Sequence, residues 1–318
     1  MAGATPQQIL SHAKVLSGSN PKNQLPKLAS IAIHIFFVIY SALCIIPLLL
    51  LVSVSFSDEK SVVQNGYRFL PDQFNLAAYK FLMKSTGQIF YSYGVSITVT
   101  VVGTVLSMLI IAMYAYPISR SHFPHASFFT FFVFFTMLFS GGLVPWYLVY
   151  VQMLDLKNTL WSLIMPLIMS AFWVLITRTF FKETIPQQVL ESAKIDGAGE
   201  LRIFIQIVLP LSMPVLATVS LFQTLTYWND WFLSLVFITD NQNISVQYLL
   251  YKMLANIQYL SSNPTAAAEI ARAGGMFNFP SETVRMALVI IGIGPIIFAY
   301  PFFQKYFVRG LTVGAVKG

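Results

Sequence analysis

Residues able to carry chemistry are sparse in this 318-residue sequence, which has 12 acidic, 19 basic and 4 histidine side chains and a single cysteine. His122 and His125 flank Phe123-Pro124 and resemble a metal pair only superficially. Pro124 disrupts helical pairing and no third ligand is nearby, whereas zinc sites need three or four; a solvated loop accounts for them. His34 has no evident relay partner. Cys44, in an apolar run, is the only cysteine, and a single cysteine excludes an intrachain disulfide and a cysteine-based metal cluster. Nowhere do a nucleophile, a base and an orienting group stand together along the chain. Gly292-Ile293-Gly294-Pro295 lies in an apolar stretch, and the chain has no G-x-x-x-x-G-K-S/T loop to cradle phosphate. What remains is a tight charged group, Glu191, Lys194 and Asp196, and a polar-aromatic block, Gln223, Tyr227, Trp228, Asn229 and Asp230.

The elements that hold these residues follow from composition. Hydrophobic residues make up 56%, aromatic 15% and charged only 10%, against about 25% charged in soluble domains. The mean hydropathy is +0.69. A chain this apolar cannot cover itself with polar groups, so lipid is the solvent for much of it. The net charge of +7 does not indicate nucleic acid, because the basic residues form no run or binding motif.

Crossing a bilayer takes about 20 apolar residues per helix. Six runs qualify: Ile31 to Phe56, Ser92 to Pro117, Phe128 to Val151, Leu160 to Phe181, Met213 to Phe237 and Val284 to Phe303. The first is too long for a signal h-region and lacks a small-x-small site at its end. With both termini in the cytoplasm, 11 basic and 4 acidic residues lie inside and 8 of each lie outside. The positive-inside rule therefore favours N-in, C-in. The outer stretch 238–283 contains Val246, Leu249, Leu250, Met253, Leu254, Ile257 and Leu260 at helical spacing, an amphipathic helix on the outer surface or against the bundle. Asn263, Pro264, Gly274, Gly275 and Pro280 then break the chain into an irregular loop.

The charged group falls in the loop after the fourth run. Pro186 opens a helix over Gln187 to Ile195, and Gly197 fits a left-handed C-cap that ends it abruptly. A second amphipathic helix, with Leu201, Phe204, Ile205 and Val208 on one side, leads to Pro210 and the fifth span. This predicts a short helix-turn-helix at the membrane surface. Its tip either meets a soluble partner or simply joins two spans.

Here the chain resembles the EAA loop of ABC-importer permeases. It has Glu191-Ser192-Ala193, then Gly197, then Ile207-x-Leu209-Pro210 at matching spacing, with Ser192 in place of the usual Ala. The Lys194-Ile195-Asp196-Gly197-Ala198 continuation is similar to the carbohydrate-uptake branch, which includes the maltose-importer permeases. Tyr227 to Phe232 is similar to the Trp-Asn-Asp/Glu block closing the fifth span in that branch. Phe139 to Pro145, Pro280 to Ala287 and the tail Tyr306 to Gly318 more specifically resemble permeases importing oligosaccharide fragments of plant or algal polysaccharides, some containing uronates.

The resemblance implies an all-α polytopic membrane protein of the type I importer permease fold, in a bacterial inner membrane. It divides the chain into a cytoplasmic segment (1–28), a six-span permease domain (29–310, coupling loop about 183–210) and a cytoplasmic tail (311–318). It implies that Glu191, Ser192, Ala193, Lys194, Asp196 and Gly197 form a coupling helix seated on an ATPase. The implied partners are a second homologous permease, a pair of ATP-binding subunits carrying ATP and Mg, an extracytoplasmic solute-binding protein, a carbohydrate and the lipid membrane. This chain would bind no cofactor itself.

Two features stay open from sequence. Trp228 and Trp231 suit an interfacial belt, or Gln223, Tyr227, Trp228 and Asn229 offer hydrogen bonds and ring faces to a sugar. Asp230 costs about 2.5–3.5 kcal/mol at mid-bilayer facing lipid, so it must lie near an interface or line a wet cavity. Ser96, Thr98, Thr100 and Thr104 either line the path or pack helix against helix. The rival reading is an ion-gradient-driven secondary transporter, which normally needs charged or broken-helix sites at the midplane and often shows inverted repeats. The span interiors lack carboxylates apart from Asp230 near an end, and no repeat is evident.

Overall fold

The computed structural model describes residues 26–83, 86–240, 242–263, 265–266, 269, 281–299 and 301–304. Most of the N-terminal segment, the breakers Pro264, Gly274, Gly275 and Pro280, and the tail from Lys305 lie outside the described residues.

Apart from one antiparallel bridge, Ser57 to Phe74, the described elements are helical. The first half runs α1 (Lys27–Ser55), α2 (Glu59–Asn65), α3 (Ala77–Met83), α4 (Thr86–Ser119), α5 (Ala126–Leu138), α6 (Leu143–Leu148), α7 (Trp161–Ile164) and α8 (Ala171–Thr184). The loop helix α9 (Gln187–Ile195) leads to α10 (Glu200–Ile203), a π turn (Phe204–Val208) and α11 (Leu209–Leu211). Then come α12 (Met213–Asn229), α13 (Phe232–Phe237), α14 (Val246–Ser262) and α15 (Ser281–Ile293).

Among the described residues, only α1, α4 and the run Glu282–Gln304 are single helices long and apolar enough to span a membrane. Six spans result only if three bent pairs each count as one. The expected run Phe128 to Val151 turns by 115° between α5 and α6, where Gly142 has φ 83°. α5 alone, at 13 residues, is about 20 Å long and too short for a ~30 Å core. The fourth run bends by 52° before α8, and the approach to the fifth bends by 79° between α11 and α12. At that last bend Ser212 stands between Pro210 and Pro214, each lacking an amide donor. The fifth run does not continue to Phe237 as one helix; α12 ends at Asn229 and α13 starts anew at Phe232.

Two apolar cores sit at opposite ends of the bundle. One gathers Val95, Val99, Trp228, Phe237, Val246 and Val284. The other gathers Ile111, Ala115, Phe181, Leu190, Ile203, Val208 and Val219. α4 and α12 contribute to both, which makes their packed pair the spine of the molecule. α1 stands apart: it packs chiefly on α15 and buries only Ser53, Val54 and Ser55. Apolar helix faces left uncovered in this way suit lipid or another membrane helix.

α14 forms where expected, with Ser245 capping it by accepting the Tyr248 amide. Val246, Leu249, Leu250 and Ile257 are buried against the bundle, while Leu254 is exposed. At the same end Glu59 accepts hydrogen bonds from the Glu282 and Thr283 amides, both at 3.0 Å, and from the Thr283 hydroxyl at 2.8 Å. These satisfy orphan donors at the start of α15.

Candidate functional site

The loop helix ends as its sequence predicts. Gly197 has φ 80°, the Ala198 amide donates to Ala193 O at 2.9 Å, and the Gly197 amide to Lys194 O at 3.0 Å. That pair of bonds is a Schellman closure. A Cβ on Gly197 would meet nothing within 4 Å, so glycine is needed here for its backbone angle and not for space within this chain.

Leu190 anchors α9 in the apolar core beside Ile185 and Phe181. The opposite side is open: Glu191, Ser192, Lys194, Asp196 and Gly197 are exposed, and Ala193 is half-buried. Gln187 Nε2 donates to Glu191 Oε1 at 3.2 Å and to His122 Nε2 at 3.4 Å. Residue Ile195, which sequence reasoning did not single out, is 87% exposed at the tip. Its signal was available, an isoleucine one helical turn after Glu191 and opposite the buried Leu190.

The second helix of the loop differs from its expected orientation. Phe204 and Val208 are buried, but Leu201 and Ile205 are 70% and 52% exposed, and the buried side includes Ile203 instead. Where lipid or a partner subunit covers a surface, apolar character no longer marks the core-facing side.

Glu200, also missed from sequence, joins three elements. Its Oε1 pairs with Lys194 Nζ of α9 at 2.6 Å, and its Oε2 accepts the Tyr116 hydroxyl of α4 at 2.6 Å. The hydrogen-bonded Lys194 ammonium, then the Tyr116 hydroxyl, hold its carboxyl below the usual 4.5. Arg120 lies 5.0 Å over the Tyr116 ring and donates to Phe181 O. A cavity of about 480 Å³ opens between α4 and α9, bounded by Tyr116, Arg120, Gln187, Leu190, Lys194 and Phe204.

The polar-aromatic block at the far end is drawn mostly inward. Gln223 is 1% exposed, with its Nε2 unpaired among the described residues. Tyr227 donates to Ile164 O at 2.9 Å and meets Ser107 Oγ at 3.1 Å. Trp228 is 3% exposed and donates to Gly292 O at 3.0 Å, so its ring packs within the bundle. Asp230 sits in the break between α12 and α13, accepts the Leu233 amide at 3.0 Å, and borders a cavity of about 10 Å³. That space is far too small for a sugar ring. Asn229 is exposed, and the nearby Trp231 and Tyr251 rings stack with centroids 4.4 Å apart.

The second-span hydroxyls divide. Ser96 accepts the Val246 amide at 2.8 Å and Thr104 meets Thr224 at 3.3 Å, both interhelical contacts. Thr98 is exposed, and Thr100 Oγ1 is buried without a partner among the described residues.

Among the described residues the protein is a helical bundle with long apolar spans and a capped, exposed loop helix. The chain belongs to the binding-protein-dependent transport system inner membrane component family, whose model matches residues 99–313. It is 37% identical over 292 residues to the polygalacturonan/rhamnogalacturonan transport system permease protein YtcP of Bacillus subtilis, covering 92% of this chain and 99% of that one. Protein LplC of the same organism is 36% identical over 277 residues, covering 87% and 90%. A chain from the crystal structure of a bacterial ABC transporter involved in the import of the acidic polysaccharide alginate superposes with a TM-score of 0.73 at 28% identity, covering 88% of this chain and 97% of that chain. As in that family, this is a permease subunit without an ATPase of its own.

Proposed function

We propose that this permease of a carbohydrate importer forms one half of a translocation path and works by alternating access, driven by separate ATP-binding subunits. The observation that carries the reading is α9: a helix capped by Gly197, rooted in the core by Leu190, with Glu191, Lys194, Ile195 and Asp196 turned outward. Such a lever suits a cleft in an ATPase subunit, with Glu191 meeting a basic group and Ile195 an apolar one. ATP and Mg then belong to the ATPase pair. A second homologous permease covers exposed apolar helix faces, and an extracytoplasmic binding protein delivers the sugar.

The cargo is an oligosaccharide, and the likeness to pectin-related and alginate importers favours a uronate-containing one. Asn229 and Asp230 lie toward the path, with Gln223, Tyr227 and Trp228 shaping it from behind. The protein sits in a bacterial inner membrane, N-in and C-in, with residues 29–310 as the permease domain between two cytoplasmic ends. Reconstitution into liposomes tests the whole reading. Uptake of oligogalacturonate should require added ATPase, second permease and binding protein, and should stop with vanadate. Uptake by this chain alone under an ion gradient would overturn it.

A further inference from the structure

Glu200 opens α10 immediately after the turn at Gly197–Gly199, the point a moving α9 would swing about. Its carboxylate is shared, one oxygen on Lys194 of α9 and the other on Tyr116 of α4, each at 2.6 Å. Between α9 and α4 lies the cavity of about 480 Å³, so the two helices are not joined there by continuous apolar packing. Tyr116 is further fixed by Phe204, whose ring centroid is 5.2 Å away, and by Arg120. From Tyr116, α4 runs without interruption to Ser107 and Gly103, where it meets Tyr227 of α12.

We propose that Glu200 is a positioning residue that transmits displacement of the coupling helix to α4, through Lys194 on one carboxylate oxygen and Tyr116 on the other. The proposal rests on the coupling reading above. A bridge with both bonds short and charge-assisted resists stretching, so pulling α9 draws Tyr116 and the whole rigid α4 with it. A plain structural role, a carboxylate in the first turn of α10, needs neither Lys194 nor Tyr116.

The test uses the complete complex in liposomes and reads sugar transported per ATP hydrolysed, alongside ATPase rate and thermal stability. Glu200→Gln weakens the Lys194 arm and Tyr116→Phe removes only the hydroxyl. Each should lower transport per ATP severalfold while the complex assembles and hydrolyses ATP. Unchanged transport per ATP in both variants would overturn the proposal, as would parallel losses of transport, ATPase and stability. If Glu200→Gln does not assemble, Tyr116→Phe decides alone. Gly197→Val is the reference: if it uncouples while Tyr116→Phe does not, only the Glu200 link fails. If Gly197→Val also couples normally, the coupling reading itself fails.

Discussion

Gly103 of α4 lies against the ring of Tyr227 of α12 so closely that a Cβ at that glycine would stand 2.6 Å from the ring. The ring cannot swing aside, because its hydroxyl is held by Ser107 and by Ile164 O inside the bundle. The spine of the molecule therefore depends on the smallest side chain meeting one of the larger ones. Gly103→Ala should cost about 1–3 kcal/mol through overpacking. Gly94→Ala, whose Cβ meets nothing within 4 Å on the same helix, should be neutral or gain about 0.5–1 kcal/mol. Thermal unfolding of the two variants in detergent compares them; equal melting temperatures would contradict the close packing.

At Gly197 the constraint is backbone angle alone. Asn tolerates the left-handed region better than other residues, and a β-branched side chain tolerates it worst. Gly197→Asn is expected to retain transport, and Gly197→Val to lose most of it while still inserting in the membrane. If the two behave alike, the partner surface and not the angle controls this position.

Asn158, with φ 59°, clasps the connection after α13: its Oδ1 accepts the Thr239 amide at 2.7 Å and the Asp240 amide at 3.3 Å. Asn158→Ala loses these bonds and keeps the unfavourable angle, at a cost of about 1–3 kcal/mol. Asn158→Gly loses the bonds but relieves the angle, and should fall between wild type and Asn158→Ala. Hydrogen exchange at the Thr239 and Asp240 amides should accelerate in both; protection equal to wild type would remove Asn158 from this role.

Because Glu200 is held below its ordinary 4.5, its contribution is present above that value and is lost as pH falls through the lower folded value. Acidification below about pH 4.5 should loosen the α9–α10 turn more in wild type than in Glu200→Gln, which lacks that carboxylate. Cleavage of the loop by an acid-active protease, followed from pH 6 to pH 3, reads the difference. Identical pH profiles would show that the carboxylate does not hold the turn.

The parts legible in sequence are those in which neighbouring residues settle the outcome. Pro186 and Gly197 delimit α9 because helix opening and Schellman closure involve groups no more than five residues apart. The membrane class followed from composition, and α14 from its spacing. The fold of α5 back into α6 was only hinted at by Gly141-Gly142.

Tertiary structure alone decided which apolar faces are core. Leu201 and Ile205 read like Phe204 and Val208, yet the first pair is exposed and the second buried. Lipid, partner subunit and core all accept the same side chains, so hydrophobicity cannot choose among them. Tertiary structure also carried Trp228 inward onto Gly292 and joined Glu200 to Tyr116, 84 positions away. The sequence determined that a capped, charged helix would stand at the end of a membrane bundle. That a carboxylate also links that helix to α4 depended on how α4 and α10 meet, a long-range packing outcome that no local spacing encodes.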